Sequence, residues 1–221
     1  LVNSPMYGFP TRIDTVTKAI SVVGMVHLND LAIGTSFLKL FDRVPPTLVD
    51  MESFWRHSIA CGVAARLLAA QRGEANTERY FVAGLLHDIG RPIIYTRAPE
   101  EAHSALRMAR MTGDLLVNAE TQVLGFHHGV VGATLLDTWR LPGMLGESVA
   151  WHHKPRMAAR FPVETSIVHV ADVIANGLRL GSSGEDLIPA FDPFAWECLG
   201  LPESVLPSLF KQVQRQYRDA V

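Results

Sequence analysis

The stretch "FVAGLLHDIGRPII", residues 81–94, sets His87 beside Asp88 at the end of an apolar run and follows them with Gly90 and Pro92. Apolar residues at helical spacing predict a helix from about Glu78 to Ile89, stopped by Gly90 and Pro92, with the His–Asp doublet in its last turn. Successive helical residues diverge by about 100° around the axis, so adjacent side chains can flank one ion only where it lies near a helix end. The doublet sits at such an end.

Outward from this point the same period dominates, and sustained alternation of the kind that marks strands is almost absent, which predicts an all-α fold. A first helix is expected from about Asp14 to Gly24 and a second through about Phe41, with a turn at "RVPPT" (43–47). Thr47 with Asp50 three residues on resembles a capping box opening a long helix to about Gln71, whose apolar positions include Met51, Phe54, Trp55, Ile59, Val63, Leu67 and Leu68. After the "QRGEANTE" loop and the doublet helix, further helices are expected within 95–113, over 114–125 closed by Gly125, from His128 to Trp139 ended by "LPG", over about 144–153, and over 164–180. "GSSGEDLIPAFDP" (181–193) reads as a polar linker and the remainder as a small C-terminal helical appendage.

A chain of 221 residues with 48% hydrophobic residues and a formal charge of -2 is an ordinary globular protein, with no basic run to mark nucleic acid or an anionic membrane as a partner. The most membrane-like segment, 19–41, is interrupted by His27, Asn29, Asp30 and Lys39 and is too polar to span a bilayer unaided. Two cysteines, Cys61 and Cys198, both among apolar neighbours, give neither a disulfide framework nor a CxxC knuckle, so a reducing cytoplasm is expected. The chain opens at Leu1, inside what reads as a structured segment, and is expected to be a fragment of a longer protein.

The nine histidines are not scattered evenly. His57 lies on the "FWRHS" helix, His87 and Asp88 at one helix end, His128 at the start of "HGVVG", His152 and His153 at another helix end, and Asp172 on the "VHVAD" helix. These are seven candidate ligands on five helices. Imidazole and carboxylate donors suit iron, manganese or zinc, a carboxylate such as Asp88 can bridge two ions, and a helical bundle can project one ligand per helix into a shared interior. His128 shares a stripe with Val131, Gly132 and Leu135 and therefore faces inward, and Gly132 leaves room for a neighbouring backbone. Two other readings stay open: a metal-free network of buried histidines and carboxylates, or histidines that merely complement helix C-termini. His169, three residues before Asp172, is expected to play a packing or ligand-orienting role.

Taken in order, "FWRHS", "FVAGLLHDIGR", "HGVVGATLLDTWRLP", "WHHKP" and "VHVAD" resemble the HDOD family, the HD-related output domains of bacterial signalling proteins. The N-terminal segment 1–25 resembles what precedes the HD-like core in that family. The resemblance covers about 1–180, with an HD-like core over about 47–180 and a linker and tail over 181–221. It implies an HD-domain-like multi-helix bundle, a metal set of His57, His87, Asp88, His128, His152, His153 and Asp172 for one or two divalent ions, and a role as an output domain that contacts response-regulator or sensor modules. It also implies an alternative, a metal-dependent phosphohydrolase in which Arg91 would assist at the phosphate. Three departures from the related HD-GYP phosphodiesterases disfavour hydrolysis of cyclic di-GMP: Ser53 stands where those enzymes place a glutamate, Arg91 replaces a lysine, and no GYP segment follows His153.

Overall fold

A computed structural model describes residues 44–221, so the two helices expected before Phe41, and His27 among them, lie outside the described residues. The described chain is built of α-helices and two short 3-10 turns, without a strand, as the periodicity predicts. The helices are α1 (Met51–Arg72), α2 (Glu78–Leu86), α3 (Gly90–Arg97), α4 (Pro99–Thr112), α5 (Leu116–Leu124), α6 (His128–Thr138), α7 (Gly143–Trp151), α8 (Pro162–Gly177), α9 (Pro193–Leu199) and α10 (Leu206–Ala220). No helix among the described residues is long and apolar enough to cross a membrane.

Helix α1 is the axis. Asp50 caps its start by accepting hydrogen bonds from the backbone N–H groups of Glu52 and Ser53, and Gly73, at φ 82°, ends it in the left-handed conformation. The cap is therefore Asp50 itself rather than Thr47, because a carboxylate immediately before the first helical residue reaches the orphan N–H groups directly. From Ala60 to Ala69 the helix is buried on every side, as a helix without a polar face must be. Helices α2, α8 and α10 all pack on it. The α2 contact is close: a Cβ on Gly84 would lie 2.6 Å from the Cys61 carbonyl oxygen, so only glycine lets α2 approach this near.

The doublet does not end one continuous helix. Helix α2 stops at Leu86, residues 87–89 form a turn, and α3 begins at Gly90. Pro92 accounts for this: it has no N–H to offer the Asp88 carbonyl and its ring would crowd that oxygen, so the chain tightens into Ile89-to-Leu86 and Arg91-to-Asp88 bonds of 3.0 and 2.9 Å. Gly90 thus starts a helix rather than closing one, and it packs so near His128 that a Cβ there would collide with the His128 carbonyl oxygen. Gly132 faces the same contact, 3.3 Å from the Gly90 nitrogen for a notional Cβ.

The C-terminal segment is docked onto the core. Leu209 and Val213 of α10 are fully buried, Arg66 on α1 donates to Gln216, and Arg72 donates to the Cys198 and Leu199 carbonyls. Residues 181–192, polar in sequence, run as a strap across the bundle. Ser182 N–H bonds Ser53 Oγ, the Ser183 carbonyl accepts from Tyr95, and Glu185 accepts from Leu116 N–H. Ser53, which stands at the position of the missing glutamate, is occupied in holding this strap.

Candidate metal centre

All seven predicted ligands converge on one interior region, which is reached from five parts of the chain: α1, the α2–α3 turn, the start of α6, the end of α7 and α8. Together with Cys61, which was not among the seven, they fall into two sets, His57, Cys61, His87 and Asp172 in one, and Asp88, His128, His152 and His153 in the other, the donor atoms of each set lying within 4.8 Å of one another. Asp88 lies where the sets meet, with Oδ2 3.3 Å from His87 Nε2 and Oδ1 3.0 Å from His128 Nε2 and 3.7 Å from His152 Nε2. On the other side Asp172 Oδ1 lies 3.2 Å from His57 Nε2 and 3.5 Å from His87 Nε2. His153 Nε2 stands 3.1 Å from His128 Nε2, and His128 Nε2 3.4 Å from His152 Nε2.

The orientation of the rings carries more information than their proximity. His87 Nδ1 donates to the Gly84 carbonyl at 2.7 Å, His152 Nδ1 to the Val149 carbonyl at 2.8 Å and His128 Nδ1 to Glu120 at 2.6 Å. Each bond fixes which nitrogen holds the ring proton and turns Nε2 inward, the arrangement in which a metal-ligating imidazole is oriented and made more basic. Several Nε2 atoms then face each other at about hydrogen-bond distance in a water-poor interior, where their lone pairs repel unless a proton or a cation lies between them. Asp88 Oδ1 is buried without a hydrogen-bond partner in the same place. The residues present therefore fit a divalent ion: imidazoles and carboxylates of the type that first-row metals take, with lone pairs already converging. When bound, such an ion would supply positive charge that neutralises two buried aspartates.

The groups that hold these ligands lie largely outside the predicted set. Glu120 on α5 is buried and also accepts from the His128 N–H at 2.9 Å; a single acidic residue in "LVNAETQVL" was the only sign of it in the sequence. Asn176, one turn after Asp172, donates to Asp172 Oδ1 at 2.7 Å. His169 donates from Nδ1 to the His152 carbonyl at 2.7 Å and accepts at Nε2 from Asp192 N–H at 3.0 Å, tying α8, the end of α7 and the strap together. Cys61, read from sequence as a cysteine among apolar neighbours, stands inside the first set; its place one helical turn from His57 was the available signal. Arg91 is buried, with Nε 3.3 Å from Asp88 Oδ1 and its fork turned toward the Ser183 carbonyl.

Without a metal, charge in this interior is carried by protons. Burial lowers the His57 pKa, but Cys61 and the hydrogen-bonded Asp172 outweigh it and lift the imidazole to about 9. Burial is likewise overcome at His87, which Asp88 and Cys61 raise well above the ordinary value, and at His128, raised mainly by Glu120. His152 and His153 move the other way, held neutral by burial and by the neighbouring imidazoles. Burial would raise the two aspartates, yet Arg91 and His87 hold Asp88, and His57 and His87 hold Asp172, well below the usual carboxylate range. Two carboxylates are thus ionised in the interior, and the cations that balance them can be exchanged for a metal.

Comparison with known proteins agrees with this architecture. The family profile of the HDOD domain matches residues 1–155. An uncharacterised protein of Treponema pallidum (strain Nichols) is 24% identical over 155 residues, which are 69% of this chain and 29% of that protein, so the chain spans less than a third of this curated relative. Among solved structures, an HDOD domain protein of unknown function from Geobacter sulfurreducens matches with a TM-score of 0.74 at 22% identity, over 96% of this chain and 78% of that one. A phosphohydrolase candidate from Shewanella amazonensis SB2B matches with a TM-score of 0.72 at 20% identity, over 95% and 78%. The MmoQ response regulator of Methylococcus capsulatus str. Bath matches with a TM-score of 0.59 at 25% identity, over 95% and 81%. With the profile spanning well over half of its residues and the fold shared with these structures, the chain belongs to the HDOD domain family.

Proposed function

We propose that the chain is the output or regulatory domain of a bacterial signalling protein of the response-regulator type, working in the cytoplasm through protein–protein contacts, and that its metal centre serves structure and switching rather than turnover. The observation that carries this reading is enclosure. Of the seven predicted ligands, six are buried, and only His153 is partly exposed. Arg91, the group that would meet a substrate phosphate, is 1% exposed and faces Asp88 and the strap. A phosphodiester has to reach the ion that activates its attacking water, and six ligands and Arg91 that are all buried argue against such access. The likeness to a response regulator supports the signalling half of the proposal.

One observation favours the phosphohydrolase reading: Asp88 stands between two donor sets, as a bridging carboxylate does in two-metal hydrolases. Assay of manganese-, iron- and zinc-loaded protein against cyclic di-GMP and a generic phosphodiester separates the two. Turnover no greater than that of the chelated protein is expected. Metal-dependent hydrolysis that disappears in Asp88→Asn would replace the regulatory reading with the enzymatic one.

A further inference from the structure

We infer that Cys61 is a metal ligand, and that His57, Cys61, His87 and Asp172 form a closed four-donor site for a thiolate-seeking ion of the zinc class, distinct in its ligand chemistry from the all-nitrogen-and-oxygen set around Asp88. This deepens the regulatory proposal and rests on its metal centre. Cys61 is fully buried on α1, one turn after His57 and on the same face. Its Sγ lies 3.7 Å from His57 Nε2, 3.9 Å from His87 Nε2 and 3.9 Å from Asp172 Oδ1.

These separations match the edges of a coordination tetrahedron. Bonds of about 2.0–2.1 Å to nitrogen or oxygen and about 2.3 Å to sulfur give edges of about 3.3 Å between N or O donors and about 3.6 Å between sulfur and nitrogen. The corresponding distances are 3.2 and 3.5 Å for the two N–O edges and 3.7 to 3.9 Å for the three that involve sulfur, and the sixth, between the donor nitrogens of His57 and His87, lies within 4.8 Å. His87 adds orientation: its Nδ1–H is spent on the Gly84 carbonyl, which leaves Nε2 of a wholly buried ring 3.5 Å from Asp172 Oδ1 and 3.9 Å from Cys61 Sγ, as well as 3.3 Å from Asp88 Oδ2. A thiol that only filled space would need none of this convergence. With four protein donors the site leaves no position for water or substrate, the mark of a structural rather than a catalytic zinc. The thiol would release its proton to solvent as the ion binds.

Cobalt(II) provides the test, because it enters zinc sites and a thiolate ligand gives it an intense near-ultraviolet charge-transfer band that nitrogen and oxygen ligands do not. The full chain, stripped of metal and titrated with cobalt(II), is expected to show the band in the wild type and in Cys198→Ser, and to lose it in Cys61→Ser. Cobalt retained with only weak visible bands in the wild type would overturn the assignment of Cys61 while leaving a metal centre in place. A chain that retains no cobalt by elemental analysis would overturn the metal centre itself. The first two outcomes are read in the wild type and in Cys198→Ser, so they decide the matter even if Cys61→Ser fails to fold.

Discussion

At the residue scale, the decisive objects are single nitrogen atoms whose direction is fixed from behind. The Glu120 carboxylate holds His128 through both its ring Nδ1 and its backbone N–H, so Glu120→Gln keeps the size of the side chain while weakening the push on the imidazole. A fall in metal affinity of about 10–100-fold is expected, measured by competition with a chromophoric chelator, with the helical circular dichroism unchanged. An equal affinity in the variant would mean that Glu120 is a packing feature. Most of the residues that converge here were legible in the sequence, since His57, the His87–Asp88 doublet, His128, the His152–His153 pair and Asp172 lie in motifs whose order resembles that of the family. Glu120, Asn176 and Cys61 were not: Glu120 orients a ligand on another helix and has no spacing relation to it until the helices pack, while Asn176 and Cys61 stand one helical turn from Asp172 and His57, a spacing shared by many residues that make no such contact.

At the element scale, close approach of helix backbones sets the geometry. Gly84 lets α2 lie against α1, and that contact brings His87 to His57 and Cys61. Gly84→Ala would press a methyl group against the Cys61 carbonyl and is expected to cost about 1–3 kcal/mol in urea unfolding. Gly146, inside α7 with open space around its Cα, gives the opposite sign: Gly146→Ala is expected to stabilise by about 0.5–1 kcal/mol. Equal effects from the two would show that backbone approach is not what glycine provides at residue 84. Helix type and order followed from periodicity, but the break between α2 and α3 did not, because Pro92 was read as the stop of one helix when it acts inside the first turn of the next. That one-turn difference places Asp88 between the two donor sets instead of inside a helix.

At the scale of the whole molecule, α10 docks on α1, and the strap ties α1, α3, α5 and α8 together through Ser53, Tyr95, Leu116 and His169. The tail looked separable in sequence because a polar linker precedes it; folded, Leu209 lies fully buried in the main core, and Leu209→Ala is expected to cost about 2–5 kcal/mol. Protons and metal compete for the centre, and this fixes the pH response. His57 in the metal-free chain has its pKa raised to about 9, so its stabilising contribution is complete below its unfolded value near 6.5 and disappears as pH rises through 9. His152, His153, Asp88 and Asp172 are depressed, so their contributions are complete above their unfolded values and disappear as pH falls. The metal-free melting temperature is therefore expected to peak near pH 6.5 and to fall toward pH 9, whereas the metal-loaded chain, whose imidazoles hold an ion in place of protons, should not fall over that interval. Parallel profiles for the two forms would refute the exchange of protons for metal.

The most direct test is elemental analysis of protein purified without chelator or affinity metal, repeated after addition of manganese, iron(II) or zinc, for the wild type and for Asp88→Ala. Two four-donor sets predict up to two ions per chain in the wild type, with the ion of the Asp88 set lost in the variant. A wild-type chain that remains free of metal after every addition would contradict the account, leaving a buried network of histidines and carboxylates held together by protons alone.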